Sequence, residues 1–126
     1  MRLAALPLAA IGGLLALGHA RGADGADGEW SRDDGLVRAR IASCGGAVCA
    51  TNTWVKNPDG DEKIGDKLVL TLTRTDESHW TGSAFDPKRH LDFSMEMRVA
   101  GDRLTTRGCV FAGFVCRDVG WTRFNR

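Results

Sequence analysis

The stretch Arg89-His90-Leu91-Asp92-Phe93-Ser94-Met95-Glu96-Met97-Arg98-Val99 decides the fold class. Leu91, Phe93, Met95, Met97 and Val99 occupy one parity, and His90, Asp92, Ser94, Glu96 and Arg98 the other. Successive side chains of a strand point to opposite faces of a sheet, so this alternation predicts a β-strand with one apolar and one wet face. The same pattern extends outward. Leu68, Leu70 and Leu72 alternate with Val69, Thr71 and Thr73, and Val37, Ala39 and Ile41 alternate with Leu36, Arg38 and Arg40. Further strands are expected at 48–55, 77–84, 103–110 and 114–124, with a short one around Trp30. Turn-forming clusters separate them: Asp33-Asp34-Gly35, Cys44-Gly45-Gly46, Asn57-Pro58-Asp59-Gly60, Asp86-Pro87 and Ala100-Gly101-Asp102. Helical periodicity is almost absent after Ala20. About eight short strands in succession predict hairpin-linked antiparallel neighbours. Curling such a sheet on itself removes its edges, so a small all-β, up-and-down antiparallel barrel is the expected architecture. An open sandwich is the second choice.

A chain of 126 residues has room for one domain. Met1-Arg2 supplies a positive start, Leu3 to Leu17 contains no charge, and Gly18-His19-Ala20 puts small residues where a signal peptidase reads. Residues 1–20 are therefore expected to be a signal peptide for the general export route, cleaved after Ala20, and the mature chain to lie in the periplasm or be secreted. The apolar run is short and rich in Ala and Gly, which argues against a membrane anchor, and no transmembrane span is expected in the mature chain. Residues 21–27 are Gly, Asp and Ala in the main and read as a flexible lead-in; 28–126 form the single domain. The full chain carries 17 basic and 16 acidic residues, and loss of Arg2 leaves 16 of each. A neutral domain lacks the cationic surplus that phosphate binding needs, so no nucleic-acid partner is expected.

A domain this small has a thin core and gains from covalent staples. Cys44, Cys49, Cys109 and Cys116 in an exported chain are expected to form disulfides. Three pairings are possible. Chain entropy does not choose among them: short local loops would contribute about 2 to 2.5 kcal/mol each, and long cross-links about 4 kcal/mol. Local geometry favours Cys44–Cys49 and Cys109–Cys116, because each pair spans a glycine-containing loop short enough to end a hairpin. Zinc is disfavoured by oxidising conditions and by the absence of CxxC spacing, and no metal or other cofactor is expected.

Trp30, Trp54, Trp80 and Trp121 fall on four different expected strands, as core fillers or as the wall of an apolar cavity. A first-strand Trp30 capped by a last-strand Arg123 could seal a barrel floor by a cation–π contact. That pairing resembles the G-x-W and terminal Arg of lipocalin-like barrels. The wider motif set runs Gly28-Glu29-Trp30, then Arg38-Ala39-Arg40-Ile41-Ala42-Ser43-Cys44-Gly45-Gly46-Ala47-Val48-Cys49, then Trp54-Val55-Lys56. His79-Trp80-Thr81-Gly82-Ser83-Ala84-Phe85-Asp86-Pro87, Leu104-Thr105-Thr106-Arg107-Gly108-Cys109 and Trp121-Thr122-Arg123 follow. In that order they resemble the DUF2147 family of small exported bacterial proteins. The resemblance implies a lipocalin-like antiparallel barrel in the Gram-negative envelope, and it implies no activity. Ala50, where the family often has Gly, and Lys88-Arg89-His90-Leu91, where it often has Gly-x-x-Tyr, depart from the pattern.

Catalytic motifs are missing. No serine sits in a G-x-S-x-G elbow, and no H-x-x-x-H, EF-hand or phosphate-binding glycine motif occurs. Asp59-Gly60-Asp61-Glu62 reads as a turn and not a calcium loop. Asp86, His90 and Asp92 are the sole candidate acid–base cluster, with His90 and Asp92 on the wet face of one strand. Three readings follow. The first is a non-catalytic barrel that binds a small apolar or amphipathic ligand, with Trp54 and Trp80 as candidate contacts, or an envelope protein. The second is a structural or protein-interaction barrel with a filled core. The third is a hydrolase using His90 with Asp86 or Asp92.

Overall fold

The computed structural model describes residues 25–125. Eight strands follow one another: β1 (Gly28–Arg32), β2 (Val37–Cys44), β3 (Ala47–Val55), β4 (Lys67–Asp76), β5 (His79–Asp86), β6 (Leu91–Ala100), β7 (Arg103–Val110) and β8 (Val115–Asn125). Each is antiparallel to its chain neighbour, and β8 returns to β1, so the sheet is a closed up-and-down barrel. No helix occurs among the described residues, and closure settles the choice against a sandwich. The β2–β3, β4–β5 and β6–β7 turns gather at one end, with Gly25–Asp27. The β1–β2, β3–β4, β5–β6 and β7–β8 connections gather at the other.

Parity along the strands becomes inside and outside of the wall. On β6, Met95 and Met97 are buried, while Ser94 and Arg98 are exposed. Trp30, Trp80, Met97, Leu104 and Val37 are the largest fully buried side chains. Rows of inward residues wind around the barrel through the register: Val48–Leu70–Ala84–Phe93 in one, Leu72–Gly82–Met95–Gly108 in the next.

Two expectations are corrected. His90 is not on a strand: β6 begins at Leu91, and His90 sits in the β5–β6 turn with φ 53°, in the left-handed region. The turn is held by Asp86, which accepts the backbone N–H groups of Lys88 and Arg89, so the chain reverses before alternation can begin. Gly25–Asp27, read from composition as part of a flexible lead-in, are fixed against the barrel. Ala26 is fully buried and its carbonyl accepts the Trp30 indole N–H at 2.8 Å. The expected signal peptide, its cleavage point and residues 21–24 of the lead-in lie outside the described residues.

Candidate functional site: the barrel interior

The floor of the barrel is built from Trp30. Its ring lies under the Arg123 guanidinium, whose carbon is 4.2 Å from the ring centroid. Arg123 also donates to the carbonyls of Asp27 and Gly25 at 2.9 and 3.0 Å, and its Nε is 3.4 Å from the Asp102 carboxylate. One cation thus ties the last strand, the β6–β7 turn and the incoming chain over the indole. Trp80, also fully buried, has Arg74 5.1 Å from its ring, and its indole N–H has no acceptor among the described residues.

Above this floor lies a cavity of ≈ 70 Å3. Trp30, Ala39, Ile41, Leu70, Met95, Met97 and Leu104 form its deeper, buried wall, and half-buried Ala50, Leu68, Thr106 and Trp121 complete it. Thr106 brings a hydroxyl, but that hydroxyl lies 3.4 Å from the Trp121 indole N–H and accepts it. Among the described side chains that line the cavity, no other polar group is left to orient a guest. Trp54 and Trp80, the tryptophans that sequence pointed to for ligand contact, do not line this cavity; Trp30 and Trp121 do. Trp54 stands on the outer face, where Arg38 lies over it at 4.7 Å and over Phe124 at 4.1 Å. Alternation along β3 does not place Trp54, because the β2–β3 pair carries a bulge: Arg38 opposes Trp54 while Ala39 opposes Asn52.

The far end is tied by ion pairs. Arg32, the last residue of β1, forms a two-pronged bond with Glu62 of the β3–β4 loop at 2.6 and 2.8 Å and also reaches Asp34. Asp59-Gly60-Asp61-Glu62 is accordingly a turn, closed by the Gly60 N–H on the Asn57 carbonyl, with Glu62 committed to Arg32. Lys88 carries the same loop from its other side through Asp66 and the Asp61 carbonyl. Cys44 is bonded to Cys49 and Cys109 to Cys116, each pair stapling a hairpin end.

No hydrogen bond or ion pair joins Asp86, His90 and Asp92 to one another among the described residues. Asp86 is buried, and its two oxygens take the Lys88 and Arg89 amides and, at 2.9 Å, the Arg89 guanidinium. Among the described residues no group of three His, Cys, Asp or Glu could hold a metal ion.

The carboxylates of these ties carry a pH signature. Hydrogen bonding by Arg32 is the largest influence on Glu62, and it holds that carboxyl below its usual range. Burial raises Asp86, but the Arg89 guanidinium and the two amides outweigh it, and the net shift is downward. A carboxyl whose folded pKa is depressed stabilises the fold above its unfolded pKa, and that stability is lost as pH falls through the folded value. The thermal midpoint is therefore expected to hold from neutral pH to about 5 and to drop progressively below about 4. A melting series from neutral to strongly acidic buffer measures this, and a flat midpoint throughout would contradict it.

The fold and its interior define a class: a closed eight-stranded antiparallel barrel, stapled by two disulfides, with a small apolar cavity. The family model described as "Uncharacterized protein conserved in bacteria (DUF2147)" matches residues 28–123. The chain belongs to the DUF2147 family. No curated protein and no solved structure matches it. The two disulfides are consistent with an extracytoplasmic bacterial protein. No helix of the described residues is long and apolar enough to cross a membrane.

Proposed function

We propose that this protein is a non-catalytic, exported barrel of the bacterial envelope that works through its outer surface, as a structural or docking module, with its interior serving as core. The observation that carries this reading is the size of the cavity. At ≈ 70 Å3 it falls well below the roughly 300 Å3 at which sites for drug-sized ligands begin. Its one hydroxyl is already engaged by Trp121, so the few convergent polar groups that usually fix a ligand's orientation are lacking. This favours a filled interior over carriage of an apolar guest. The commitment of Asp86 to the β5–β6 turn favours a non-catalytic role. Native mass spectrometry of the protein purified from its export compartment tests the reading. The expected mass is that of the processed, oxidised chain alone. A stoichiometric apolar molecule that co-purifies would overturn it in favour of ligand carriage.

A further inference from the structure

β1 has only five residues, and it pairs with β8 from Trp121 to Asn125. β8 is eleven residues long, so its first half, from Val115, runs on beyond the reach of β1, held mainly by β7. The consequence is visible in burial. Val115, Cys116, Arg117 and Asp118 are all exposed, on both faces of the strand, where a residue of the barrel wall would have one face covered. The edge of β8 from Val115 to Asp118 and the tip beyond Cys109 are therefore left uncovered at the rim of the barrel, while β7 stays paired with β6 as far as Cys109.

Its tip is apolar. From Val110 to Val115 the sequence Val-Phe-Ala-Gly-Phe-Val has no charged or polar side chain, and the Cys109–Cys116 bond closes the base of that segment. Phe111 is 75% exposed and Phe114 89%. Phe111 and Ala112 both occupy the left-handed region, at φ 54° and 56°. Non-glycine residues adopt that region at a cost, so the stapled turn holds its two rings outward at the expense of local conformational ease. Just below the tip are cations. Arg107 is paired with Asp118 at 2.8 Å, whereas Arg117 makes no hydrogen bond or ion pair among the described residues.

We propose that this hairpin tip inserts into the surface of an anionic lipid bilayer, with Phe111 and Phe114 entering the headgroup–acyl boundary and Arg117 on a headgroup phosphate. A convex apolar tip needs a concave pocket in a protein partner but no preformed counterpart in a bilayer, where an apolar face sinks into the interface beside basic residues. Charge complementarity points the same way: the segment that would be immersed is uncharged, and exposed Arg117 just behind it, which meets Asp34 and Glu62 only through space and forms no ion pair, is placed to reach a headgroup phosphate. The open edge of β8 offers an alternative, strand addition by a protein. Arg117 and Asp118 stand on that edge, and charged residues there discourage edge pairing.

The proposal rests on the outer-surface reading above. Flotation of the exported, oxidised protein with vesicles of phosphatidylethanolamine and phosphatidylglycerol tests it, with phosphatidylcholine vesicles as the neutral comparison. The wild type is expected to float with the anionic vesicles. Joint replacement Phe111→Asn and Phe114→Ser should weaken binding at least about tenfold. Asn is used at 111 because it tolerates the left-handed backbone. Arg117→Gln should weaken anionic binding about fivefold and leave neutral vesicles unaffected. Unchanged thermal midpoints establish that both variants fold, and all three proteins share one N-terminus, so the loss belongs to the tip. Wild type that stays at the bottom of the gradient overturns the proposal, as does a double variant that floats equally well. A stoichiometric complex with an envelope protein along β8, without flotation, would replace it with strand pairing. Ligand-free native mass without flotation sinks the lipid proposal alone; a co-purified guest sinks the outer-surface reading and leaves the flotation result standing.

Discussion

Trp30→Ala is expected to lower the free energy of unfolding by about 3 to 5 kcal/mol, the range for deleting a buried large aromatic. Trp30 is 1% exposed and serves three roles at once. It fills the floor of the barrel, donates its indole N–H to the Ala26 carbonyl, and carries the Arg123 cation on its face. Truncation enlarges the ≈ 70 Å3 cavity that Trp30 already lines, and leaves the Ala26 carbonyl without its donor. Removal of the ring also takes away the surface on which Arg123 rests, a contact worth about 0.5 to 2 kcal/mol. Denaturant unfolding with the disulfides kept oxidised measures the effect. Trp54→Ala on the outer face is the control, with an expected loss of less than about 1.5 kcal/mol, mostly from its contact with Arg38. Equal losses at the two positions would show that Trp30 does not anchor the floor.

Gly82→Ala should be the second most damaging single change. Gly82 lies opposite Leu72 on β4 and Met95 on β6. A methyl group there would overlap the Thr71 backbone carbonyl and sit 3.0 Å from the Leu72 Cα. Backbone cannot swing aside as a side chain does, so β4 and β5 would have to part locally. The expected loss is about 3 kcal/mol, at the upper end for overpacking. Gly108 offers the comparison. A methyl there would meet the Phe93 ring at 3.0 Å, a side chain able to give way, and about 1 kcal/mol is expected. Thermal melts of Gly82→Ala and Gly108→Ala rank the two, and Gly108→Ala proving the worse would refute the backbone-collision account. Both glycines stand in the same inward row, flanking Met95. Glycines at such points let a sheet bend tightly enough to close.

Much of the barrel was legible in advance because its signal is local. The alternation from Leu91 to Val99 became β6, and the Asp86-Pro87 and Gly101-Asp102 turn signals mark both of its ends. Pairing of β1 with β8 needed only that eight successive antiparallel strands leave two edges, which closure removes. His90 was misplaced by one residue, since alternation continued through it although the Asp86 carboxylate had already bent the chain. Nothing in the sequence marks the apolar tip at Phe111 and Phe114 as exposed. Its composition reads like any buried strand segment, and only the short reach of β1 leaves it outside.

From the residue order alone come the strand type, the apolar parity of each strand, the antiparallel succession and the presence of four cysteines in a chain with export features. These are properties of near neighbours along the chain, and steric geometry converts them directly into local structure. Tertiary structure alone decided which tryptophans meet inside, that Ala26 and Arg123 complete the floor, how small the cavity is, and that one hairpin tip is left uncovered at the rim. Those outcomes depend on strand stagger and unequal strand lengths around a closed circuit. A cavity volume is a small difference between two large ones, the space enclosed by the wall and the side chains that fill it, and no single strand carries that difference.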